Sequence, residues 1–443
     1  MNLLTDKIKT LYFKYLYAAF GSAMILSIYS IVDMAIVGQY QGPSGTATLA
    51  VIAPIWNIIF SLGLLLGIGG SVLFSIFRGN KKIDERVSNE FFSASVIGAT
   101  LISLIVWIVI VLFEKNILIF FGADDVLLNY AEKYMYPILF VVPIFLFNQM
   151  LAAFLRNDNN PALATIGILA GGIFNIVGDY LFVFTFDMGI FGAGLATAIG
   201  SVISFAVMFT HFLSDKNTLK FVIPTELFSK LKQIGITGFS TFFVDIAMGI
   251  LTVLFNRQIM QYLGSDALAI YGPIINVSTF VQCCAYSVGQ AAQPIISINF
   301  GANCTLRIKQ VLKYSLYTIA FFSIFWTALS LCYPNLYIKI FMNPTENILR
   351  IAPEIIRTYS VSFILLPLNI FATYYFQAIV RSKPAFIVSV LRGLVLSGIL
   401  ILLLPHFFGG NSIWLAMPIT ETIVAILAIC FIIRYTKRLL KSA

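Results

Sequence analysis

The sequence is poor in charge, in histidine and in paired cysteine, and each shortage removes a class of protein. Only 11% of its 443 residues are Asp, Glu, Lys or Arg, where a soluble domain averages about a quarter. That is too little charge to wet the surface of a soluble fold this size, and it also excludes a disordered chain and a nucleic-acid-binding protein. The five cysteines (Cys283, Cys284, Cys304, Cys332, Cys430) include no C-x-x-C pair, so they indicate neither a disulfide scaffold nor a metal centre. Two histidines, His211 and His406, supply no H-E-x-x-H pair and no Ser/His set, so an enzyme is not expected. No cofactor is called for.

What is abundant is apolar: 59% of the residues are hydrophobic. A spanning helix needs roughly 20 mostly apolar residues, and twelve such stretches are expected. They cover Tyr15–Val37, Thr48–Phe77, Phe91–Phe113, Met135–Leu155, Ala162–Phe184, Ile190–Phe212, Ile234–Tyr262, Leu268–Phe300, Tyr314–Tyr333, Ile355–Ile379, Ala385–Leu404 and Ser412–Ile433. None alternates with period 2 as a barrel strand does, so the fold class is an all-α integral membrane protein. The first run is too long for a signal peptide, contains Asp33 and has no small-residue cleavage site, so it reads as a retained span.

Loop charge predicts orientation. With the N-terminus inside, the inner segments collect Lys7, Lys9, Lys14, Arg78, Lys81, Lys82, Arg86, Arg156, the loop lysines 216, 220, 230 and 232, and the bases after the eighth, tenth and twelfth spans. The outer segments hold only Lys115, Lys133, Lys339, Arg350 and Arg357. Both termini are therefore expected in the cytoplasm, and the net charge of +9 reflects topology rather than an acidic partner. Arg257 and Arg392 fall within spans; Arg257 is close enough to an end to snorkel.

An internal repeat runs through the chain. Gln39-Tyr40, Ala47–Val51 and Phe77-Arg-Gly79 are echoed by Gln261-Tyr262, Ala267–Ile270 and Phe300-Gly301, and Arg156…Pro161 by Arg381…Pro384. Two lobes of six spans follow: residues 1–213, a linker at 214–232, and residues 233–443. Six is even, so the lobes share an orientation, as in transporters that rock one lobe against another.

Four carboxylates lie well inside spans: Asp33, Asp179, Asp245 and Glu421. Each costs roughly 2.5–3.5 kcal/mol at the bilayer centre, so each is a functional candidate before it is helix glue. Asn175 and Asp179 are four apart and share one face of the fifth span. With Asp33 and Thr197 they fall roughly 8–15 Å below the outer surface at 1.5 Å per residue. Hard oxygens at one depth can hold Na⁺, and two nearby carboxylates can share a proton. Asp245 and Glu421 belong to the second lobe, where either could neutralise a cationic substrate or relay a proton.

Several stretches resemble the multidrug and toxic compound extrusion (MATE) family of the MOP superfamily. They are Val32-Asp33-Met-Ala-Ile-Val-Gly38, Phe154-Leu-Arg-Asn-Asp158-Asn-Asn-Pro161, Asn175-Ile-Val-Gly-Asp179, Gly192–Thr197 and Trp414–Glu421. The likeness runs the length of the chain. It implies two pseudo-symmetric six-helix lobes and export of lipophilic, often cationic drugs in exchange for H⁺ or Na⁺. In the MepA-like and DinF-like bacterial branches it places a cation site on Asp33, Asn175, Asp179 and Thr197. Many relatives carry a proline in the first span, whereas Tyr15–Val37 has none and Gly21-Ser22 stands near that place. The acids that the NorM-like branch places in spans seven and eight are represented only by Asp245.

The expected partners are small lipophilic or cationic compounds and membrane lipid, with the chain acting as a monomer in the bacterial inner membrane. Aromatic walls beside acidic groups suit large flat cations; Met150, Met248 and Met260 would add an adaptable lining if they face inward. The nearest alternative, a lipid-linked oligosaccharide flippase, would want cationic lining for a pyrophosphate. Here two intramembrane bases stand against four acids.

Overall fold

A computed structural model describes residues 2–80, 82–341 and 345–441; Lys81, counted above among the inner bases, lies outside them. Sixteen α-helices are described. The first half contains α1 (Ile8–Gln41), α2 (Pro43–Gly79), α3 (Glu85–Phe120), α4 (Asp125–Leu139), α5 (Val142–Asn157), α6 (Pro161–Tyr180) and α7 (Gly189–Phe209). The second contains α8 (Leu227–Leu263), α9 (Ser265–Gly301), α10 (Thr305–Cys332), α11 (Pro334–Phe341), α12 (Glu346–Ser360), α13 (Leu366–Ala378), α14 (Ser382–Val390), α15 (Leu396–Phe408) and α16 (Ala416–Lys441). Among the described residues ten helices are long and apolar enough to cross a membrane, and eleven if a bent pair forms one span. The first expected span lies inside α1, a helix of 34 residues.

The bent pair is α4 and α5, where a single span was expected. Their axes turn by 60° across Phe140 and Val141. Pro143, the second residue of α5, explains the break: it has no N–H to donate and its ring clashes with the preceding turn. The second half interrupts its corresponding span in the same way, with a 3₁₀ turn at Val361–Ile364 ahead of Pro367. The two halves also share a left-handed residue after α5 and after α13, Asn159 at φ 61° and Val380 at φ 52°. Asparagine tolerates that region, but a β-branched valine there is strained.

Two compact units emerge. Unit 1 comprises Met1–Thr5 and Tyr17–Phe242; unit 2 comprises Asp6–Leu16 and Phe243–Ala443. In unit 1, α6 and α7 approach so closely that a Cβ on Gly171 would stand 2.4 Å from the carbonyl oxygen of Gly200. On α7, a Cβ on Gly194 would stand 2.1 Å from the Tyr134 carbonyl oxygen of α4. Small residues let helix backbones meet where hydrocarbon offers no hydrophobic drive. Leu151, Leu155, Ala164, Ile168 and Met208 close a core beside this contact. By contrast α3 leaves Leu104, Ile105, Ile108 and Leu112 exposed, a surface suited to acyl chains.

Candidate cation and substrate site

The glycine contacts decide which polar groups meet. Asp33 comes from α1, Tyr134 from α4, Asn175 and Asp179 from α6, and Thr197 from α7. Asn175 donates through Nδ2 to the Thr197 hydroxyl at 3.0 Å and more weakly to Asp179 Oδ1 at 3.5 Å. The Tyr134 hydroxyl donates to Asp33 Oδ2 at 3.2 Å and sits 3.4 Å from Thr197 Oγ1. All four residues singled out in the sequence thus belong to one hydrogen-bonded group within unit 1, linked through a tyrosine that the reading had not included. Tyr134 stood one place before the expected fourth span, which is why it was missed.

The group is buried and rich in idle acceptors. Asp179 is fully buried, and Asp33 is 9% exposed. Asp33 Oδ1, Asn175 Oδ1 and Asp179 Oδ2 have no hydrogen-bond partner among the described residues, and neither aspartate makes an ion pair there. Buried acceptors are normally satisfied. Three idle ones converging from two helices can receive a proton or a small cation. A turn of π-helix, Leu181–Thr185, begins two residues after Asp179. Such turns recur at functional positions because they widen the backbone.

A small, half-open cleft adjoins the group, and Asn175 and Thr197 belong to both. Tyr29 and Phe145 supply aromatic faces; Asn148 and Gln149 supply amides. Ser201 and Ser204 add hydroxyls, so the lining mixes aromatic faces with hydrogen-bonding groups. Met150 is 2% exposed and Met260 54% exposed, and Met150, Met248 and Met260 are absent from the residues that line it.

Unit 2 treats its acids differently. Asp245 on α8 is half-buried, with Oδ2 unpartnered among the described residues. Glu421 on α16 is fully buried and accepts from Arg392 Nε at 2.8 Å and from Asn369 Nδ2 at 2.6 Å. Loop counting could not reveal that pair, because Arg392 and Glu421 lie on different helices. Arg257 is exposed.

A second polar cluster joins the α5–α6 turn to the ends of α2 and α7. The Asp158 carboxylate accepts from Arg78 Nη1 at 2.5 Å, His211 Nε2 at 2.8 Å, and the Thr218 amide at 2.9 Å and hydroxyl. Burial opposes its charge, yet the bonds from His211 and Thr218 and the Arg78 guanidinium hold its carboxyl below the usual range. The motif Phe154…Pro161 therefore serves a clasp for the segment beginning at Thr218.

Comparison with known proteins follows the same division of the chain. The MatE family model matches residues 18–181 and again residues 240–403. The multidrug export protein MepA of Staphylococcus saprophyticus is 26% identical over 94% of this chain and 92% of its own length. MepA of Staphylococcus aureus (strain MSSA476) is 25% identical over 93% and 90%. Among solved structures, an outward-facing multidrug resistance MATE family transporter of the MOP superfamily superposes with a TM-score of 0.90 at 18% identity, covering 99% of this chain and 98% of its own. A MOP superfamily transporter from Pyrococcus furiosus gives 0.89 at 18% identity over the same shares. The fold is the MATE fold, and with the family matched in both halves this chain belongs to the MatE family.

Proposed function

We propose that the chain exports lipophilic, often cationic compounds in exchange for H⁺ or Na⁺ by alternating access, as its MatE membership and multidrug-exporting relatives suggest. The observation that carries the coupling site is the set of three buried, unpartnered oxygens on Asp33, Asn175 and Asp179. A proton or Na⁺ taken up there satisfies acceptors that otherwise cost about 1–3 kcal/mol each. The Thr197 hydroxyl completes the oxygen set, and the adjoining cleft takes the drug. Because Asn175 and Thr197 face both, cation and drug compete for the same groups.

In this scheme cation entry from outside displaces drug and favours the inward return. Drug binding from inside favours the outward one. A single positive charge moving down a 100 mV potential contributes about 2.3 kcal/mol. Both termini lie in the cytoplasm of a bacterial inner membrane, on the Lys/Arg bias of the loops, and the chain works as a monomer surrounded by lipid. Residues 1–213 and 233–443 act as its two lobes. Asp245 is the acid of the second lobe that a cationic substrate meets. The flippase alternative loses its best anion ligand, since Arg392 is already paired with Glu421.

The deciding experiment is ethidium transport in proteoliposomes with Na⁺ and pH gradients imposed separately. One gradient alone should drive uptake against concentration. Uptake indifferent to both gradients would overturn the reading.

A further inference from the structure

Unit 2 holds the most deeply buried arginine–carboxylate pair among the described residues. Glu421 is 0% and Arg392 3% exposed. One carboxylate oxygen takes Arg392 Nε at 2.8 Å; the other takes Asn369 Nδ2 at 2.6 Å. The same Asn369 amide also donates to the Glu421 backbone carbonyl at 2.9 Å, which fixes the carboxylate relative to its own helix. Arg392 sits in a turn of π-helix, Leu391–Val395, that interrupts the α14–α15 span and carries the guanidinium inward.

The contrast with unit 1 is chemical. Among the described residues Asp33 and Asp179 have idle oxygens and no ion-pair partner; Glu421 has both oxygens bonded and its charge paired. A guanidinium does not lose its proton in proteins. It therefore behaves as a cation that cannot leave. Displacing it with H⁺, Na⁺ or a drug would strand a buried, uncompensated arginine, which is strongly unfavourable. Among the described residues, the Tyr359 phenol of α12 is within electrostatic reach of both Glu421 and Arg392, and the Tyr286 phenol of α9 of Arg392 and Asp245.

We propose that Arg392 is a tethered counter-cation that keeps Glu421 out of cation exchange, so that the number of coupling cations moved per cycle excludes this site. The proposal rests on the exchange reading above. It assigns Arg392 a positioning and charge-setting part, without contact to the transported molecule.

Infrared difference spectra of the full-length protein in detergent, titrated between about pH 5 and 8, test the pair without requiring transport. Wild type and Glu421→Gln should show the same carboxylic-acid C=O bands. Arg392→Met should gain a band that is missing from Arg392→Met/Glu421→Gln. A band present in wild type and lost in Glu421→Gln would overturn the proposal, even if Arg392→Met fails to fold. In proteoliposomes, the double variant, which leaves no unpaired charge, should keep the wild-type ratio of cations to ethidium. A lowered ratio would show that Glu421 had been exchanging, and overturns it. Wild-type protein that moves no ethidium would remove the exchange reading, while the spectra still decide the state of the pair.

Discussion

Asn175 donates its amide N–H to the Thr197 hydroxyl at 3.0 Å across the α6–α7 contact, and its amide oxygen accepts from no donor among the described residues. The geometry follows from two glycines that let the helices touch. It places idle oxygens of Asn175 and Asp179 on the same helix face, next to Asp33 of α1.

Replacing Asp33 or Asp179 with Asn should remove gradient-driven export while the protein still inserts and superposes on wild type by circular dichroism. The expected loss is more than about tenfold in ethidium efflux, equivalent to at least about 1.4 kcal/mol of coupling. Wild-type efflux in either variant would refute the site.

Tyr134→Phe should retain transport but change its cation dependence. The phenol now donates to Asp33, and a hydrogen bond to a charged group is worth about 1.5–3 kcal/mol. Without it a proton or Na⁺ meets less competition, so half-maximal drive should come at a concentration lower by about tenfold or more. Transport measured against a graded Na⁺ or pH gradient gives the comparison.

Gly171→Leu should destabilise unit 1. Its Cβ alone would stand 2.4 Å from the Gly200 carbonyl oxygen, a backbone atom that cannot rotate away. Overpacking of this kind costs about 1–3 kcal/mol or more. Thermal unfolding in detergent should show a lower midpoint, and an unchanged midpoint would show that α6 and α7 can separate.

The Asp158 clasp predicts an acid limb to stability. Its carboxyl is held below the ordinary range in the folded protein, so its contribution is complete above the unfolded value of about 3.9 and is lost as pH falls through the lower folded value. Asp158→Asn should cost about 3–5 kcal/mol near neutrality, because Arg78 is left without its carboxylate. The gap between wild type and variant in unfolding midpoint should shrink as the pH drops into the acid limb. A constant gap would mean that the clasp is not electrostatic.

Much of the fold was legible in composition and run length, since a helix that crosses hydrocarbon must be long, apolar and internally bonded. The bend ahead of Pro143 within the expected fourth span was not legible, because hydropathy averages over residues and ignores a missing N–H. Asp33, Asn175, Asp179 and Thr197 could be placed at one level, because rise per residue converts chain position into height; that their helices meet could not. Tyr134 could not, because depth says nothing about which helices are neighbours.

Arg392 and Glu421 mark the boundary between the two kinds of information. The sequence by itself determined that this is a helical membrane protein, which halves correspond, and which few charges stand where a bilayer makes them costly. Those conclusions rest on properties of single segments. Only the tertiary structure decided that Glu421 is satisfied by Arg392 while Asp33 and Asp179 keep open oxygens, because a charge's cost depends on the atoms within about 3–4 Å of it, and those atoms come from other helices.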